Sequence, residues 1–185
     1  MSSSNAPRLV KLVLALALAG LTAGCFQPLY GDRSVGGNNN SISYKMAAVD
    51  VPPIDAPNGT RIARIGVEMR DKLLFDLTGG GPAQTSAYRL IVKLTANQQQ
   101  VIVDLNSARP DIQNYGIDAT YSLVDNATGK ALFNSTTFAR VSYNIPGQQQ
   151  RFAGDRGLRD AENRAAKVIA DNIHSRLASY FAAGA

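Results

Sequence analysis

The chain has 185 residues, 45% of them hydrophobic, and carries 19 basic against 14 acidic residues for a formal net charge of +5. That length gives one domain with a core of its own. The charge is mild, and with no Lys/Arg run and no basic aromatic motif it excludes a nucleic-acid binder. One cysteine, Cys25, excludes an internal disulfide, and one histidine, His174, leaves no spaced set of ligands for a metal centre.

Residues 1–24 have the layout of a secretory signal. Arg8 and Lys11 precede an apolar run from Leu12 to Ala23, which small residues close. The run is 12 residues long, and a membrane-spanning helix needs ~20. Leu21-Thr22-Ala23-Gly24-Cys25 resembles the lipobox of bacterial lipoproteins, with Thr22 at position −3 where Leu is commonest. In that class the cysteine thiol is diacylated and the chain is cut just before it. Cys25 is therefore the expected lipidation site and the acylated N-terminus of the mature chain. The alternative from the residues alone is an ordinary Ala-x-Ala-type cleavage site followed by a structural cysteine. Cleavage removes Arg8 and Lys11 and leaves 17 basic against 14 acidic residues, a net charge of +3. Each buried acyl CH₂ contributes ~0.8 kcal/mol, so several acyl chains hold a protein firmly at a membrane. Residues 25–40 are expected to be anchor and flexible tether, because Gly36-Gly37-Asn38-Asn39-Asn40 is polar and unpatterned.

A single domain is expected over residues 41–182. Ser41 to Val51 alternates loosely, with Ile42, Tyr44, Met46 and Ala48 in phase, and reads as a first strand stopped by Pro52-Pro53. Thr60 is placed to cap a helix whose apolar stripe is Ile62, Ile65, Met69 and Leu73. Gly79 to Gly81 and Pro82 end it; the triple glycine lacks the preceding strand and the Gly-Lys-Ser/Thr ending of a phosphate loop. Ala87 to Leu105 reads as one long, bent strand. Its apolar parity changes from even (Tyr88, Leu90, Val92) to odd (Val101, Val103), which demands a bulge near Asn97 to Gln100, or else a hairpin there. After a turn at Ser107 to Pro110, Ile112 to Val124 points Tyr115, Ile117, Ala119, Tyr121 and Leu123 one way. Asp125 to Lys130 is a hairpin turn, and Ala131 to Ile145 returns as the fourth strand. Gln148 to Gly154 reads as a polar loop. Asp155 then caps a last helix to about Phe181, with Leu158, Ala161, Ala165, Ile169, Ile173 and Leu177 in its stripe, some 39 Å long at ~1.5 Å per residue.

This order, β-α-β-β-β-α, predicts an α+β fold with two helices packed on one face of a mixed, mainly antiparallel four-stranded sheet. The other face carries Lys93, Asp118, Thr120, Ser122, Asn134, Thr136 and Arg140. Such a face is either simply solvated or suited to a polar enclosure such as the lumen of an outer-membrane barrel. No catalytic constellation is present: there is no Gly-x-Ser-x-Gly and no Cys/His pair, and nothing couples Asp104, Asp111 and Asp118. No cofactor is expected. The hairpin brings the turn bearing Arg109 and the loop bearing Arg151 and Arg156 to the same end of the sheet, with Arg159 one helical turn further on. Clustered guanidiniums suit phosphate recognition; the alternative is an ordinary solvated rim.

The opening Gly24-Cys25-Phe26-Gln27-Pro28-Leu29-Tyr30-Gly31 resembles the Gly-Cys-Gly-Phe-x-Pro-Leu-Tyr start of alphaproteobacterial members of the LPS-assembly lipoprotein family, LptE, with one glycine missing after the cysteine. The likeness of organisation runs on to about Phe181. It implies a lipoprotein anchored through acylated Cys25 at the periplasmic face of the outer membrane. It also implies a heterodimer with the LptD β-barrel, which the protein enters as a plug, and direct binding of lipopolysaccharide in its assembly at the cell surface. By the same resemblance Arg109, Arg151 and Arg156 are candidates for LPS binding, and Lys93, Asp118, Thr120, Asn134, Thr136 and Arg140 form the candidate partner-facing sheet. A second class, an auxiliary periplasmic adaptor of a phospholipid transport system, shares the anchor but has no barrel. An anchored hydrolase would need a nucleophile and base that the sequence does not offer.

Overall fold

The computed structural model describes residues 41–81, 85–104, 109–145 and 151–184, with the backbone alone at 100–104, 109–111 and 151. Cys25 and the whole of residues 1–40 lie outside the described residues, as do 82–84, 105–108 and 146–150, which take in 107–108 of the expected turn and 148–150 of the expected loop; Arg109 and Pro110 of that turn are strand instead. The elements in order are α1 (Ile42–Ala47), β1 (Val49–Asp50), α2 (Arg61–Thr78), β2 (Tyr88–Asp104), β3 (Arg109–Asp125), β4 (Ala131–Asn144) and α3 (Arg151–Ala182). The sheet order is β1-β2-β3-β4, with β1 parallel to β2 and the remaining pairs antiparallel.

The stretch expected as a first strand is mostly helix. Ser41 caps α1, its side chain accepting from the Tyr44 N–H at 3.2 Å. Strand structure is confined to Val49–Asp50. Ile42, Tyr44 and Met46 alternate as a strand would, but in the helix only Met46 is buried. A six-residue segment is too short for period 2 to be told from period 3.6, and the local cap decides it. The proline pair follows β1 after Val51, and the Arg70 Nε–H donates to the Val51 carbonyl at 2.8 Å, tying the end of this segment to α2.

α2 starts and stops where its residues dictate. The Thr60 hydroxyl accepts from the Ala63 N–H at 3.2 Å, and Gly79 closes the helix in the left-handed region at φ 63°. Ile65, Met69, Leu73 and Leu77 are buried. β2 is a single strand, and its register slips between Gln100 and Val103, slightly beyond the expected Asn97–Gln100 position. The parity reading of β3 is observed directly: Tyr115, Ile117, Ala119, Tyr121 and Leu123 are all buried. Ala139, Val141 and Tyr143 of β4 join them on the helix-covered face.

α3 begins five residues earlier than expected, so Arg151 to Gly154 is helix rather than loop and Asp155 lies within the helix instead of capping it. Its 32 residues give about 48 Å. Gly154 reads as a loop residue, yet a glycine costs a helix only about 1 kcal/mol. The burial gained further along offsets that. Ala161, Ala165, Ala166, Ile169, Ala170, Ile173, Leu177 and Ala178 are almost completely buried. The alanines let α3 approach the sheet closely while the longer side chains fill the core with those of α2. Lys72 links the two helices through ion pairs with Asp76 and, at 3.6 Å, with Asp171. At the far end Tyr88, Phe133, Tyr180 and Phe181 form a chain of ring contacts with centroids 4.8–5.5 Å apart.

Candidate functional site

The sheet face turned away from the helices is built in rows by the strand register. Lys93, Thr120 and Thr136 stand side by side across β2, β3 and β4. Ile91, Ser122 and Asn134 form the row on one side, and Thr95, Asp118 and Phe138 the row on the other. Asn97, Gly116 and Arg140 follow, then Gln99, Asn114 and Ser142. All six residues expected to face a partner therefore lie on one surface, within four adjacent rows.

One part of this face is internally ordered. The Arg140 guanidinium donates to the Asp118 Oδ1 at 2.7 Å and to the Ile117 and Ala139 carbonyls at 3.1 and 3.0 Å. It also lies 5.4 Å from the centroid of the Phe138 ring. Asn97 donates to the other Asp118 oxygen at 3.3 Å, and the Ser142 hydroxyl donates to Asn114 at 2.7 Å. Gly116 makes this possible. A Cβ there would stand 2.3 Å from the Asn97 Oδ1 and 3.0 Å from the Arg140 Cδ, so only glycine leaves room for both side chains to lie flat across the strand. The guanidinium stays charged at any working pH and is held in one orientation, which suits a directional partner contact.

Phe138 was absent from the sequence-derived face. It is 65% exposed, and Ile91 and Leu132 are exposed with it. The signal was available: Phe138 has even parity in a strand whose buried residues are odd. The open face is thus polar with apolar inserts.

The second expected constellation is the arginine group at the other end of the strands. β3 begins at Arg109, whose backbone pairs with Asp104, and Ile112 pairs with Asn144 at the end of β4. Arg151 is the first residue of α3, and Gly157 lies against the Asn144 carbonyl. The backbone positions of Arg109, Arg151 and Arg156 therefore share one end of the fold. The Arg156 side chain is exposed and belongs to a cleft of about 730 Å³ between the start of α2 and the first turns of α3. Arg61, Arg64 and Arg159 line the same cleft.

Sequence reading missed the floor of that cleft. Glu162 is a charged residue inside the apolar stripe of α3, 2% exposed, and forms an ion pair with Arg64 of α2. Arg64 also donates to the Asn163 side chain at 3.1 Å. The pairing depends on the register between two helices about a hundred residues apart, which no local pattern encodes. Its field reaches the core: burial first, and the Glu162 charge second, push the Tyr115 phenol up to about 12, against an opposing pull from Arg61 and Arg64. Tyr143 is shifted upward chiefly by burial as well, and its hydroxyl is hydrogen-bonded to Gln113.

Among the described residues no group of three or more His, Cys, Asp or Glu side chains converges to hold a metal, and no helix is long and apolar enough to cross a membrane. The fold and these surfaces define a class: a helix-backed sheet domain that presents one ordered open face and one basic end. Within that class the chain belongs to the LptE family, described as Lipopolysaccharide-assembly, whose model matches residues 46–177. That family is one of lipopolysaccharide assembly and is not enzymatic. A crystal structure of a lipoprotein from Caulobacter crescentus CB15 superposes with a TM-score of 0.59 at 20% identity, over 78% of this chain and 98% of that one. A minor lipoprotein from Acinetobacter baumannii gives 0.52 at 16% identity, over 71% and 89%. The rare lipoprotein B from Shewanella oneidensis gives 0.50 at 11%, over 71% and 94%. At these identities the three establish the fold. No curated protein matches the chain in sequence.

Proposed function

We propose that the mature chain, anchored through acylated Cys25 at the periplasmic face of the outer membrane, plugs an LptD-like β-barrel and binds lipopolysaccharide during its assembly at the surface. The observation that carries this reading is the ordered open face. A sheet whose core is complete on the helix side still holds Arg140, Asp118 and Asn97 in one network beside an exposed phenylalanine. A barrel lumen is lined by polar side chains and water, and such a face can exchange its hydration for hydrogen bonds there. The basic end bearing Arg109, Arg151 and Arg156 would meet the phosphates of LPS, which guanidiniums grip bidentately.

The LPS arm is tested by charge reversal. Replacing Arg109 and Arg151 together with Glu is expected to weaken LPS binding about tenfold or more, since hydrogen bonds to charged groups contribute ~1.5–3 kcal/mol each. The urea midpoint should stay where it was. Unchanged LPS affinity in that variant would return these arginines to an ordinary solvated rim.

A further inference from the structure

The cleft between α2 and α3 has chemistry that the open sheet face does not use. Its mouth carries Arg61, Arg156 and Arg159, and none of the three forms an ion pair among the described residues. It opens beside the N-terminus of α2, an 18-residue helix with no acidic residue in its first turn, so the positive end of the helix dipole is not offset locally. The independent observation lies on the floor. Glu162 gives one carboxylate oxygen to Arg64, while the other, Oε1, is buried and accepts no hydrogen bond from any of the described residues. Such atoms are rare in folded proteins and mark a donor that the fold itself does not supply. Phe152, 86% exposed, and Val67, 62% exposed, stand on the rim.

We infer that this cleft binds a phosphate-bearing head group that carries an N–H or O–H donor close to its phosphate. The phosphate sits on the guanidiniums of Arg61, Arg156 and Arg159, which match its geometry and charge. The donor reaches the Glu162 Oε1. That oxygen has no solvent access, so Arg64, whose side chain is 38% exposed, turns toward the incoming phosphate as the donor enters. Phe152 and Val67 give an attached acyl chain an apolar place to rest. This inference goes beyond the LPS and barrel reading: it shares Arg156 with that reading, but Arg61, Arg159 and Glu162 belong to the cleft alone, so the two fail separately.

Titration calorimetry on the purified full-length protein tests it with O-phosphoethanolamine, glycerol phosphate, phosphocholine and inorganic phosphate. The first two carry a donor beside the phosphate, and phosphocholine carries none. The donor-bearing ligands should bind about tenfold or more tighter than phosphocholine, the ratio one hydrogen bond to a carboxylate provides. E162Q should narrow that preference, and R61E with R159E should weaken all four ligands about tenfold. Should E162Q fail to fold, the phosphocholine comparison and the surface arginine pair carry the test. Dihexanoyl phosphatidylethanolamine binding more tightly than O-phosphoethanolamine would assign the source to lipid, and equal affinity to a free head group. No saturable binding of any ligand, equal affinity with and without a donor, or indifference to R61E with R159E would each overturn the inference.

Discussion

At the scale of single residues, Gly116 decides how the open face is built. In a strand interior a glycine is normally a weakness, because it orders more backbone than it packs. Here it gives Asn97 and Arg140 the space to meet Asp118. Gly116→Ala is expected to lower stability by about 1 kcal/mol through the displaced hydrogen bonds. In an Asn97→Ala background, which removes the 2.3 Å obstruction and leaves only the 3.0 Å approach to the Arg140 Cδ, the same change should cost less. A double-mutant cycle by urea denaturation reads that coupling, and additive effects would contradict the close-approach account. Cys25 governs a different property. Cys25→Ala should accumulate as an uncut, mislocalised precursor on a gel of fractionated cells, and normal cleavage before residue 25 would contradict the lipobox assignment.

At the scale of elements, the helices supply the core and leave the far face of the sheet to other uses. Ile173 is completely buried between α3 and the sheet. Ile173→Ala should cost 2–5 kcal/mol by the transfer and cavity terms, lowering the thermal midpoint without touching the open face. A shift of under a degree would mean that α3 is not the element holding the sheet. The long elements were legible in the sequence because their periods repeat many times. Tyr115 to Leu123 shows five in-phase residues, and Ile65 to Leu77 shows a helical stripe ended by a glycine that adopts the left-handed conformation. Short or interrupted elements were not. α1 carries too few residues for its period to show, and the start of α3 hides behind Gly154. The candidate face was legible by parity, Phe138 included, although it was passed over. The Arg64–Glu162 pair was not, because it arises from helix–helix register.

At the scale of the whole molecule, the fold separates three tasks. The core lies on the helix side of the sheet, the ordered Arg140 network on the other, and the arginines gather at the end where β3 begins and α3 starts. Under the proposed function, that separation would let a lipid-anchored protein engage a barrel with one surface and phosphates with another without disturbing the core. The measurement that tests this most directly is a mild-detergent pull-down of the full-length protein from its own cell envelope, run on a gel with and without boiling. The account predicts a large co-eluting protein at equal stoichiometry whose mobility shifts on boiling, as a β-barrel's does, and its loss when Phe138→Ser is combined with Arg140→Glu. A protein that elutes alone, or one that travels with an inner-membrane transporter, would contradict it.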